Sequence, residues 1–348
     1  MKKNQMTQTI LLMLLMLIGS AAWAEDYQKS FAKTYDVSAD AQVIIANQYG
    51  NVAVEPWDNS QVDIKVTVNV KKMSEKDAQA LLDKIDVVFS GNSNQVKAVT
   101  KINGKLNCRN CEFSIDYVVK MPASNKLDIS NEFGNAVVGN LSGSVTTNIS
   151  YGNLNLGRLE NKENKIGLKF GNMDVDYIKA ASLSMEYGAL EIGSAGYLDL
   201  YIRFTSSEIG EISELVLDGQ YESIEIGSVN MMRANTGFMS IEIGELFEKL
   251  ELTTSYGGLE IDRVAEGFSS IDVSSEFGGV EMGISSAASY SLKAENEYGD
   301  IGFPESRAEI KKISDKSFRK EVEAFVGKDK ASTSMVIIKA KNSNIQID

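Results

Sequence analysis

Seven acidic residues recur at a near-constant interval: Asp174, Glu191, Glu208, Glu225, Glu242, Glu260 and Glu281. Each sits between two apolar or small residues, as in Leu190-Glu191-Ile192, Ile224-Glu225-Ile226 and Ile241-Glu242-Ile243. Alternate side chains of a strand point to opposite faces, so inward neighbours put these acids outside. If successive copies stack as neighbouring strands, the carboxylates form one line about 5 Å apart. At that spacing, repulsion is roughly 1 kcal/mol per neighbouring pair in bulk water. Such a line could take Ca²⁺, which favours carboxylate oxygens, or a basic partner. It could equally be a solvated polar face whose repulsion is relieved by salt and by nearby Lys or Arg. No compact calcium loop of the D-x-[DN]-x-[DN]-G kind occurs. Ca²⁺ is therefore the one cofactor the pattern suggests, and no other is expected.

The remaining reactive side chains are few. The chain has no His and two Cys, Cys108 and Cys111. A close pair in an exported protein reads as a disulfide. A redox pair would need to open a helix, whereas Glu112 to Lys120 reads as a strand. Zinc would need two further ligands of the usual kind. Without His, Ser and Cys triads lose their usual base. A carboxylate-based polysaccharide enzyme remains as a third alternative, but such enzymes build a cleft from long loops, and the repeats here are too short to supply them. No enzyme is expected.

The acids belong to a longer repeat. Aromatic residues recur at Phe133, Tyr151, Phe170, Tyr187, Phe204, Tyr221, Phe238, Tyr256, Phe277 and Tyr298, at intervals of 17 to 21 residues. Phe and Tyr alternate throughout, and Tyr49-Gly50-Asn51-Val52 is an earlier copy. Apolar pairs lie six and four residues before many of the rings, such as Leu127 and Ile129 or Leu250 and Leu252, and three and five residues after most of them, such as Leu154 and Leu156 or Val280 and Met282. Each unit thus reads as strand, corner, strand, corner. Gly or Asp supplies the corners, which call for residues that tolerate positive φ. Counting by twos puts the rings on the same face as the preceding Leu and Ile, which predicts an interior ladder. A unit of this length cannot close a core alone but can bury its inward row on the next copy. The predicted fold is all-β, a single parallel β-helix or solenoid with 17–21-residue coils. Propeller blades need longer units, and leucine-rich repeats use different spacing.

Between Tyr49 and Phe133 the period is interrupted. Val62, Ile64, Val66, Val68 and Val70 alternate as a strand. Ser74 to Ile85 predicts a helix, with Ser74 and Asp77 as its capping box and Ala78, Leu81, Leu82 and Ile85 on one stripe. Strands are expected near Asp86–Phe89, Gln95–Ile102 and Phe113–Met121. Trp57 is either an anchor of this end or a contact residue. Lys2 and Lys3, the apolar run Ile10–Ile18 and Ala22-Trp23-Ala24 together form a secretory signal pattern. The expected organisation is a signal peptide over 1–24, first strands and N-terminal coil over 25–60, an α/β insertion or cap over 61–122, repeats over 123–303, and a closing coil over 304–348. Cleavage would remove two Lys and leave 33 basic against 48 acidic side chains, a formal charge of −15. An acidic surface disfavours nucleic acid. No other apolar run is long enough to span a bilayer.

Tyr49-Gly50-Asn51-Val52-Ala53-Val54-Glu55-Pro56-Trp57-Asp58, Tyr117-Val118-Val119-Lys120-Met121-Pro122, Phe133-Gly134-Asn135 and Tyr151-Gly152-Asn153-Leu154 resemble motifs of a bacterial family of exported proteins labelled "putative adhesin". The resemblance runs from about Val37 to the end. The coils at Phe204-Thr205, Tyr221-Glu222 and Phe238-Met239 depart from it by lacking the Gly. It implies a β-helix-like fold and an envelope location, and brings no catalytic or binding residues with it. The expected function is an exported, non-enzymatic, adhesin-like binding or scaffold module of the cell envelope, in the periplasm, at the cell surface or outside the cell. Its expected partner is a protein or glycan of the envelope or of a host surface. The alternative is a periplasmic regulatory protein contacting another envelope protein.

Overall fold

The structure is a computed structural model that describes residues 26–106, 108 and 111–348. The expected signal peptide lies outside them. The fold is all-β, as expected, with 22 strands in one sheet. The N-terminal part contains β1 (Tyr27–Asp36), β2 (Gln42–Gln48), β3 (Val52–Trp57), β4 (Gln61–Lys71), helix α1 (Glu75–Leu82), β5 (Ile85–Gly91), β6 (Gln95–Ile102) and β7 (Glu112–Pro122). The repeats follow as β8 (Lys126–Glu132), β9 (Ala136–Val138), β10 (Val145–Ser150), β11 (Leu154–Leu159), β12 (Asn164–Lys169), the continuous extended run β13 (Met173–Ser255), β14 (Leu259–Val264), β15 (Ser270–Glu276), β16 (Val280–Ile284), β17 (Tyr290–Glu297) and β18 (Ile301–Gly302). The chain ends with β19 (Ala308–Lys316), β20 (Arg319–Val326), β21 (Met335–Lys341) and β22 (Ile345–Ile347).

Two parallel ladders run through the molecule. One passes through β6, β2, β8, β10, β12 and β13. The other passes through β7, β3, β9, β11 and β13. Both continue beyond β13, through β15 in one case and through β14 and β16 in the other. The predicted inward pairs are buried all along these ladders, including Leu127, Ile129, Leu198, Leu200, Leu250 and Leu252 before the rings, and Leu154, Leu156, Leu190, Ile192, Ile241 and Ile243 after them. They join one continuous apolar cluster from Val37 to Ile347. Each fully buried Leu or Ile contributes about 1.5–3 kcal/mol, which is what holds units too short to fold alone.

The segment 61–122 contains the expected strand, helix and three strands. Its β6 and β7 pair in parallel with β2 and β3, so they extend the ladders. β1, a strand that the sequence reading did not resolve, runs antiparallel along β4. Ser74 Oγ caps α1 by accepting the Asp77 N–H, at 3.2 Å. The helix ends at Leu82, shorter than predicted, and Ile85 is buried as the first residue of β5 rather than on the helix stripe. Trp57 serves as an anchor: its Nε1 donates to the Gln61 carbonyl at 2.7 Å and fastens the β3–β4 turn.

At the other end the order of strands in space departs from the order in sequence. β21 pairs with β15 on one side and β17 on the other, and β22 lies between β16 and β18. The C-terminal coil was expected to close the stack. Instead it is inserted one rung earlier, and β17 and β18 stack on it. β20 and β19 then continue antiparallel from β17.

Candidate functional site

The repeating aromatics lie outside the core, contrary to the interior ladder predicted by parity. Phe133, Tyr151, Phe170, Tyr187, Phe204, Tyr221, Phe238, Tyr256, Phe277 and Tyr298 are 39–56% exposed. The cause is local. Tyr49 and all ten of these residues have φ between 50° and 66°, the left-handed region. One residue in that conformation breaks the two-residue alternation, so counting across it from the preceding strand gives the wrong face. Bulky residues rarely adopt this conformation, because Cβ crowds the backbone at a cost of about 1–2 kcal/mol each.

The Gly that follows most rings has a different role from the one expected. The positive φ belongs to the aromatic, and the Gly permits close approach to the next rung. A Cβ at Gly134, Gly152, Gly171, Gly257 or Gly278 would lie 1.9–2.1 Å from the carbonyl oxygen of the residue one rung away. The second-corner glycines Gly210, Gly227 and Gly244 approach the preceding rung in the same manner, with a Cβ 2.5–2.6 Å from its carbonyl oxygen. Where the first Gly is missing, Thr205 and Met239 are buried, whereas Glu222 is exposed with φ at 138°.

Tyr49, Phe133, Tyr151, Phe170, Tyr187, Phe204, Tyr221, Phe238, Tyr256 and Phe277 form an unbroken stack, with neighbouring centroids 4.7–5.4 Å apart and planes within 13°. Each inner ring has both faces covered by its neighbours, so its edge faces solvent. Alternation keeps the phenolic hydroxyls two rungs apart. A sugar stacks on a ring face, and these faces are taken.

Beside the rings runs a row of small or polar residues: Asn135, Asn153, Asn172, Ala189, Ser206, Ser223, Ser240, Gly258 and Gly279. At its N-terminal part each Asn Oδ1 accepts the backbone N–H of the next rung: Asn135 from Asn153 at 2.8 Å, Asn153 from Asn172 at 2.9 Å, and Asn172 from Ala189 at 3.2 Å. Two residues further along each strand stands the predicted acidic column. Asp174, Glu191, Glu208, Glu225, Glu242, Glu260 and Glu281 are all exposed. The strand registers pair Asn155 with Asp174, Glu242 with Glu260, and Glu260 with Glu281. Ala189, Ser206, Ser223, Asp174, Glu191, Glu208 and Glu225 line a shallow groove of about 410 Å³. Glu242, Glu260 and Glu281 line another of about 300 Å³.

None of the seven acids pairs with a cation among the described residues. Elsewhere the chain sets opposite charges on adjacent rungs: Lys169 with Glu186, Arg233 with Glu251, Arg263 with Glu245, and Lys341 with Glu276. The contrast isolates this column as a line of like charge. Among the described residues, no group of three or more acidic or Cys side chains is gathered so that it could hold a metal ion.

Two tyrosines are buried instead of stacked on the surface. Burial pushes the phenols of Tyr117 and Tyr290 up to about 12, in Tyr117 against the opposing hydrogen bond with Thr100. Among the described residues, Tyr290 Oη has no hydrogen-bond partner. Cys108 and Cys111 form the expected disulfide, with Cα atoms 5.2 Å apart, just before β7. Among the described residues, no helix is long and apolar enough to cross a membrane.

No family model matches this chain, and no curated protein matches it. Solved structures resemble it over most of its length. A putative cell adhesion protein from Clostridium sporogenes is 8% identical, covering 93% of this chain and 99% of its own, with a TM-score of 0.23. A putative adhesin from Parabacteroides merdae is 9% identical, covering 92% and 96%, with a TM-score of 0.34. A putative lipid binding protein from Parabacteroides distasonis is 11% identical, covering 92% and 97%, with a TM-score of 0.29. The first two carry the adhesion label of the family that the sequence motifs resemble.

Proposed function

We propose that this chain is an exported, non-enzymatic β-solenoid acting as an adhesin-like binding or scaffold module of the cell envelope. Its binding face is the one that carries the ring ladder, the row of small residues and the carboxylate column. The observation that carries this reading is the stack of ten partly exposed rings, each held in a backbone conformation that disfavours it. Strain of this kind is maintained where the surrounding structure over-determines it, and it clusters at functional surfaces. A contiguous exposed apolar stripe is also the kind of patch that marks an interaction site. The unpaired carboxylates favour a basic partner surface over an acidic one, and a partner's Lys or Arg would relieve their repulsion. A partner surface suits the column better than Ca²⁺, because the acids are arrayed in a line and not gathered around a point.

The test is retention on isolated envelopes. Wild type is compared with Glu208→Lys/Glu225→Lys, which reverses two rungs of the carboxylate column, and with Tyr187→Asn, which removes one ring while keeping a residue that tolerates positive φ. Circular dichroism confirms that each variant is folded. Loss of retention in both variants supports the reading. Retention equal to wild type in both sinks it.

A further inference from the structure

The backbone ladder under the rings has no break, but the ring ladder has one. In space the rungs run Tyr256, Phe277, Asn342, Tyr298, because the C-terminal coil lies between β15 and β17. Asn342 occupies an aromatic position in every backbone respect. Its φ is 54°, within 10° of the 59° of Phe277 and the 63° of Tyr298. The Phe277 N–H donates to the Lys341 carbonyl at 2.9 Å and the Asn342 N–H to the Glu297 carbonyl at 2.8 Å, the bond that Tyr256 makes with Glu276 at 2.8 Å. Rings stack on either side of this rung, Tyr256 on Phe277 at 4.7 Å and Tyr298 on Phe318 at 5.1 Å. No ring contact joins Phe277 to Tyr298.

Two rungs separate these rings, so their centres stand about 9–10 Å apart at the usual strand spacing. That is the room for one more ring at the spacing of the rest of the ladder. Asn342 is exposed, and its carboxamide has no hydrogen-bond partner among the described residues. Its side chain is shorter than a phenyl ring, so the outer parts of the Phe277 and Tyr298 faces extend beyond it. Among the described residues, this is the one interruption inside the run of rings from Tyr49 to Phe318. Tyr298 is also the most exposed of the ten repeat aromatics, at 56%.

We propose that the break at Asn342 is a docking slot for an aromatic side chain of a protein partner, which inserts between Phe277 and Tyr298 and completes the stack. This inference rests on the reading of the ring-bearing face as a binding face and specifies how that face is read. The slot is continuous with the exposed ring edges, so a polypeptide lying along them brings its own side chains to it. Two ring faces set two rungs apart select a planar aromatic group over an aliphatic one of similar volume, because stacking is available on both sides.

The probe is N-acetyltryptophanamide, titrated into the full chain and followed by backbone amide NMR. Saturable ring-current shifts centred on Phe277, Asn342 and Tyr298 are expected. Asn342→Phe fills the slot from within and should weaken the probe by about tenfold or more, the effect of removing two ring contacts. Asn342→Ala should still bind it. Shifts spread evenly along the ladder, or probe binding unchanged in Asn342→Phe, overturn the proposal. A second arm measures envelope retention of Asn342→Phe, which is expected to fall. If the probe binds but retention is unchanged, the slot takes free aromatic molecules, and the partner assignment is wrong. If Asn342→Phe is retained while Tyr187→Asn is lost, the slot fails and the binding face stands.

Discussion

Replacing Phe170 by Gly and by Ala separates the left-handed conformation of the ring positions from everything else about them. Phe170 stacks on Tyr151 and on Tyr187, with both centroids 4.9 Å away. Either substitution loses two ring contacts, worth about 0.5–1.5 kcal/mol each. Either also loses the burial of a ring that is partly covered, about 1 kcal/mol more. On side-chain grounds alone, each variant should therefore lose about 2–4 kcal/mol relative to wild type. They differ in the backbone. With φ at 59°, Ala retains a conformational penalty of about 1–2 kcal/mol, which Gly relieves. In an ordinary strand the order is opposite, with Gly weaker than Ala by roughly 0.5–1 kcal/mol. Phe170→Gly should accordingly unfold at higher urea than Phe170→Ala, by a difference equivalent to about 1 kcal/mol. Urea midpoints measured by circular dichroism decide it. An Ala variant as stable as the Gly variant, or more so, would refute the left-handed corner and restore the parity that places the rings inside.

Other substitutions probe the remaining parts. Gly152→Ala puts a Cβ about 2.1 Å from the Gly134 carbonyl oxygen, so it should separate the rungs and abolish hydrogen-exchange protection near residues 145–160, whereas Gly167→Ala, whose nearest neighbour would be 3.2 Å away, should be mild. Glu208→Gln/Glu225→Gln removes repulsion along the column and should raise the melting temperature at low salt, with a gain of about 1 kcal/mol per relieved pair that vanishes near 1 M NaCl; a gain unaffected by salt would contradict the electrostatic origin. The buried phenols give a pH dependence. Their folded values of about 12 lie above the ordinary 10, so the neutral form is favoured in the fold. That stability is fully present below pH 10 and is lost as pH rises through 12, up to about 2.7 kcal/mol per tyrosine. Tyr290→Phe should therefore flatten the loss of stability between pH 10 and 12, and, by removing a hydroxyl without a partner, leave stability at pH 7 unchanged or higher.

Much of this fold is legible in the residues. The apolar pairs before and after each ring are buried as their alternation implies, and the acidic column points outward because its own neighbours are inward on the same strand. The Ser74 cap marks the start of α1, and the alternating valines of β4 fix a strand. Three features lay beyond that logic. Alternation holds only within a strand, and a single left-handed residue at each Phe or Tyr resets it. Left-handed positions normally advertise themselves by Gly or Asn, and here that residue type sits one position late, for reasons of contact between rungs. The last coil looks like a cap because sequence order suggests stacking order; only the pairing of β21 with both β15 and β17 shows the insertion, and with it the rung at Asn342. A hint was present in Lys341-Asn342, which follows a strand of inward Val336, Ile338 and Ala340 where the other repeats place an aromatic.

Tyrosine nitration, mapped by peptide mass spectrometry, tests the central claim most directly, because it reads both where the rings lie and whether they are covered in use. In the purified protein Tyr151, Tyr187, Tyr221, Tyr256 and Tyr298 should react while Tyr117 and Tyr290 are spared. On isolated envelopes the ladder tyrosines should become protected. Ladder tyrosines as inert as Tyr117 in the purified protein would contradict the external stack, and equal reactivity on and off the envelope would contradict its role as the binding face.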